Sequence, residues 1–89
     1  MDQQTIQLAA RALEATAMRL IAAGHKDVKT FYVGISSLVE LAKRGGVFEP
    51  LEWRDIPGGY AFSEGCLRQY RDLETDFAKF RFAITGGEP

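Results

Sequence analysis

Little in this sequence invites redox or metal chemistry. It holds one Cys, Cys66, and one His, His25. A lone Cys cannot close an internal disulfide, and one Cys with one His cannot complete a four-ligand structural zinc site. No metal or cofactor is expected. An excess of one charge is also missing: eleven Lys and Arg stand against twelve Asp and Glu, a formal net charge of −1. That balance makes a basic nucleic-acid clamp an unfavoured partner class. Long apolar runs are absent as well. The richest stretch, residues 6–23, is interrupted by Gln7, Arg11, Glu14, Thr16 and Arg19, so no membrane span is expected. The first residues carry Asp2 and two Gln where a secretory signal would place positive charge, and a cytoplasmic protein is the expectation.

What is present is an ordinary globular mix, 46% hydrophobic and 26% charged over 89 residues. This excludes a wholly disordered chain and a collagen-like one. The length suits a single domain, residues 1–89. A chain of this size buries only about 60–65% of its unfolded surface, which gives a physical motive for self-association.

Three segments carry helical periodicity. In residues 3–23, Ile6, Ala10, Leu13, Ala17 and Leu20 alternate in steps of four and three on one stripe. Asp2 or Thr5 is placed to cap the start, the helix is rich in Ala, and Gly24 suits a left-handed C-terminal cap. Residues 28–44 repeat the pattern through Val28, Phe31, Ile35, Leu38 and Ala42, with Asp27 as N-cap and Gly45-Gly46 as the stop. A rival reading competes there. Val28 to Val33 is rich in β-branched and aromatic residues, Gly34 weakens a helix, and Ser37 with Glu40 has capping-box spacing. A strand near 28–34 would make the fold α+β. The unbroken stripe favours one helix. The third segment, residues 63–84, starts at Ser63 and runs through Cys66, Tyr70, Leu73, Phe77, Phe80 and Ile84, an apolar seam of the bundle type. Residues 85–89 read as a flexible tail. Mixed charges on this helix, Glu64 with Arg68, Arg68 with Asp72 and Asp76 with Lys79, have the spacing of local pairs.

Between the second and third helices lies a different composition. Residues 45–62 contain Pro50, Pro57 and the single Trp53. Pro57-Gly58-Gly59 is a turn signal, which makes 51–56 and 60–62 the arms of a short hairpin or a looped insertion. The predicted fold is therefore mostly α: a small three-helix bundle with a hairpin or loop inserted between helices two and three.

Candidate chemistry is thin. His25 follows the first helix, where a positive charge favours the dipole's end. Cys66 reads as a core residue, and a Cys66–His25 dyad would need the end of helix one to meet the start of helix three. No glycine cluster matches a phosphate cradle. Residues 41–47 look like the opening of a helix-turn-helix, but Pro50 would break the recognition helix, and Glu49, Glu52 and Asp55 would face phosphates with the wrong sign. The aromatic insertion is the strongest candidate surface: Phe48, Trp53, Arg54, Tyr60 and Phe62 combine the rings and Arg typical of a protein-binding patch. The expectation is a small non-enzymatic interaction or regulatory module, an inhibitor or adaptor that binds another protein of unknown identity and self-associates as a homo-oligomer. The alternative is a nucleic-acid-associated regulator using Arg11, Arg19, Lys26, Lys29, Lys43 and Arg44.

Overall fold

A computed structural model describes residues 2–52, 55–58 and 66–86. Among these the chain forms three α-helices, α1 (Gln3–Ala22), α2 (Lys26–Lys43) and α3 (Arg71–Ile84), with a 3-10 turn at Cys66–Gln69 ahead of α3. No strand is present among the described residues.

Helix α1 begins because Asp2 caps it. One carboxylate oxygen accepts from the Gln4 and Thr5 amides at 3.0 and 3.3 Å, and the other accepts from the Thr5 hydroxyl at 2.6 Å. These contacts hold the Asp2 carboxyl below its ordinary value, the Thr5 hydroxyl contributing most. The helix ends in a Schellman motif. The His25 amide reaches back to the Leu20 carbonyl and the Gly24 amide to that of Ile21. Gly24 adopts φ +96°, and nothing surrounds the place a Cβ would occupy, so the backbone dihedral alone calls for glycine. Helix α2 ends in the same way at Gly45-Gly46.

The strand reading of 28–34 is overturned. Val28, Phe31 and Tyr32 are buried while Val33 is exposed, the pattern of a helical face. Their β-branched and aromatic character serves packing against α1, and burial outweighs local propensity. Helix α2 also starts earlier than the sequence suggests. His25 takes the N-cap position without a side-chain bond, and Asp27 lies in the first turn. Val39, outside the predicted stripe, is fully buried, whereas Leu38 is only partly so.

Helix α1 is the central element, antiparallel to both neighbours. On one flank Lys43, at the end of α2, reaches Glu14 at 2.7 Å. On the other flank the Thr16 hydroxyl donates to Asp76, and Arg19 pairs with Asp72 at 3.4 Å. The predicted local pairing on α3 is therefore replaced: Asp72 and Asp76 turn to α1 rather than to Arg68 and Lys79. Ala10 and Ala17, both fully buried, let the neighbouring helices come close to α1.

Two further corrections concern the third helix. The expected continuous helix over 63–84 gives way to the 3-10 turn, and α3 starts only at Arg71, with Tyr70 at its N-cap in a non-helical conformation (φ −94°, ψ 81°). Ser63, its predicted cap, and Glu64 lie outside the described residues. At the other end Thr85 is no tail residue. It is buried, and its hydroxyl donates to the Arg81 carbonyl at 2.7 Å.

The insertion closes the bundle. Val47 and Ile56 are buried, as is Leu67 of the 3-10 turn that follows. The Gln3 side-chain Nε2 donates to the Val47 carbonyl at 2.6 Å, and the Leu51 backbone amide to that of Ile84 at 2.9 Å. The arm predicted as extended over 51–56 instead contains a turn, the Asp55 amide bonding the Glu52 carbonyl at 3.0 Å. The turn at Pro57-Gly58 is present, with Gly58 at φ +100°. The return arm at 60–62 lies outside the described residues.

Candidate functional site

The predicted patch can be followed at one residue. Phe48 is 78% exposed, between Val47 and Leu51, which are tied to the start of α1 and the end of α3. Trp53, Arg54, Tyr60 and Phe62 lie outside the described residues.

A second apolar surface emerges at the same end of the bundle, and the sequence reading missed it. An open groove of about 560 Å3 runs between α1 and α3, lined by Thr5, Leu8, Ala9 and Ala12 on one wall and by Asp76, Ala78, Lys79, Phe82 and Ala83 on the other. Leu8 is 61% exposed and Phe82 56%. The cause is the placement of α1. Its neighbours cover the stripe through Ile6, Ala10, Leu13 and Ala17 and leave the outer side of the helix open. Leu8, Ala12 and Ala15 are exposed there, at steps of four and three, among the polar Gln4, Arg11 and Arg19. The recurrence of Leu8, Ala12 and Ala15 on the side of α1 away from the buried stripe was the signal available in the sequence.

A polar cluster joins the turn between α1 and α2, with the first turn of α2, to the start of α3. The Tyr70 hydroxyl lies 3.0 Å from His25 Nδ1 and 3.1 and 3.2 Å from the two Asp27 oxygens, and the His25 and Tyr70 rings meet edge to face at 5.0 Å. The phenol has one proton. Donated to Asp27, it leaves the oxygen to accept from His25, which makes Nδ1 the protonated nitrogen. The ends of the two helices thus do meet, as a Cys66–His25 dyad would require, but the group that takes the imidazole is Tyr70. The phenol's donor is already used within the cluster, so the cluster acts as a latch. Replacing Tyr70 by Phe leaves both Asp27 and His25 short of a partner in a half-buried setting. A loss of about 1–2 kcal/mol is expected, checked by urea denaturation. An unchanged midpoint would remove the latch.

A third cluster is ionic. Lys43 bridges Glu14 and Glu40 at 2.7 and 3.2 Å, and these hydrogen bonds hold its ammonium above the ordinary lysine value. Tyr32 is buried beside it, and burial, then Glu14 and Glu40, push its phenol up. Its hydroxyl finds no hydrogen-bond partner among the described residues. Of the six cations that a nucleic-acid reading would use, Lys43 and Arg19 are thus already engaged with carboxylates of the fold.

Compared with known proteins, the chain matches no family model, no curated protein and no solved structure.

Proposed function

We propose that this chain is a small non-enzymatic interaction module, an adaptor or inhibitor in kind, that acts by docking a protein surface along the groove between α1 and α3. The observation that carries the reading is the groove itself, with Leu8 and Phe82 more than half exposed on opposite walls. Full burial of side chains of this size is worth about 1.5–3 kcal/mol each. Left in water they contribute nothing to the stability of the chain alone, whereas a docked surface recovers that free energy. Phe48, also exposed, is held at the same end of the bundle by its neighbour Val47. Among the described residues no helix is long and apolar enough to cross a membrane, and the expected setting is the cytoplasm.

A photo-crosslinking amino acid at Ala12, inside the groove, tests the reading against the same group at Lys29, exposed on α2. In cells, discrete protein adducts are expected from Ala12 and not from Lys29. No adduct at Ala12, or equal adducts at both positions, removes the groove as the docking surface.

A further inference from the structure

We infer that the occupant of the groove is a second copy of this chain, packed antiparallel across a two-fold axis so that α1 and α3 of both copies form a four-helix assembly. This rests on the docking reading above and names its partner.

Charge carries the argument. Two charged side chains of opposite sign line an otherwise mostly apolar groove, Asp76 and Lys79, about one turn apart on α3. Their spacing would allow a local pair, yet the structure does not make one: Asp76 accepts from the Thr16 hydroxyl, and neither residue has an ion pair among the described residues. A two-fold axis crossing α3 between them sets each Lys79 opposite Asp76 of the other copy. One symmetric contact then satisfies both charges twice, using only residues already on this face. A partner of a single charge sign would satisfy one and repel the other.

The apolar residues obey the same symmetry. Leu8 and Phe82 lie toward the start of α1 and the end of α3, off the axis. The rotation therefore places one such pair at each end of the contact, where it shields the central ion pairs from water. Ala12, nearer the axis, leaves room for close approach of the second copy. Area sets the strength. Helices of 20 and 14 residues side by side offer a footprint of about 20 by 25–30 Å per copy, roughly 500–600 Å2. The total, about 1,000–1,200 Å2, lies at the lower edge of specific interfaces. The dimer is accordingly a concentration-dependent one rather than an obligate one.

Sedimentation equilibrium of the wild-type chain from micromolar to millimolar concentration should show the mass rising from one chain to two. Leu8→Glu with Phe82→Glu should remain at one chain throughout. Both sites are exposed, so an unchanged far-ultraviolet circular dichroism spectrum separates lost docking from lost folding. Lys79→Asp alone should weaken association about tenfold or more, and Lys79→Asp combined with Asp76→Lys should restore it. A dimer indifferent to Leu8→Glu and Phe82→Glu overturns the inference, and a charge swap that fails to restore association overturns the antiparallel register. A single-chain mass at every concentration overturns the second copy. If Ala12 still crosslinks to a different protein, the docking reading stands without it; if Ala12 crosslinks to nothing, both fall.

Discussion

Phe80→Ala is expected to cost about 3–5 kcal/mol of folding stability, while Phe82→Ala, two residues along, should cost less than about 0.5 kcal/mol. Phe80 heads the fully buried side chains by volume, on the face of α3 that packs against α1, whereas Phe82 points into the open groove. Truncating Phe80 removes its transfer free energy and leaves a cavity that helices held from both sides cannot collapse into. Domains of this size are stable by about 5–10 kcal/mol, so the loss takes a large share of the total. Urea denaturation at a concentration low enough to keep the chain monomeric measures both variants. Equal costs for the two phenylalanines would mean that the buried and open faces of α3 have been assigned wrongly.

Gly58→Ala should cost about 2–5 kcal/mol, as much as many core truncations, although it adds only a methyl group to an inserted loop. Two effects combine. At φ +100° an L-residue with a Cβ is strained by about 1–2 kcal/mol. The new Cβ would also overlap the Phe31 ring, which meets the Phe77 ring edge to face at 5.2 Å and has little freedom to retreat. Overpacking of that kind costs about 1–3 kcal/mol. The two shares separate experimentally. Phe31→Leu in the Gly58→Ala background should recover the steric share relative to Phe31→Leu alone, leaving the dihedral share in place. A cost for Gly58→Ala below about 0.5 kcal/mol would show that the insertion does not seal the seam between α2 and α3.

The contrast between Gly24 and Gly58 shows which parts of the fold were legible. Gly24 ends α1 by a local rule: a helical stripe runs out, and a residue that tolerates positive φ follows it. The expectation from sequence and the observed motif agree because every atom involved lies within six residues. Gly58 was legible as a turn residue after Pro57, but its closeness to Phe31 and Phe77 depends on chain 27 residues before it and 19 after it. The helix break at Tyr70 belongs to the same class. The spacing from Cys66 through Tyr70 to Leu73 continues the apolar seam, so periodicity alone extends the helix. The phenol's bonds to His25 and Asp27, 45 and 43 residues away, accompany the observed break.

Local order along the chain determined three helical stripes, a cap at Asp2 or Thr5 and the glycine stops, because caps and stripes are written in residues one to four positions apart. It also places Leu8, Ala12 and Ala15 on the side of α1 away from the Ile6–Ala17 stripe. Which side the neighbours cover was decided only by tertiary packing. Helices α2 and α3 both lie against the Ile6–Ala17 stripe and turn the carboxylates of α3 toward Thr16 and Arg19. That choice leaves Leu8, Ala12 and Phe82 facing water, on the groove on which the proposed function rests.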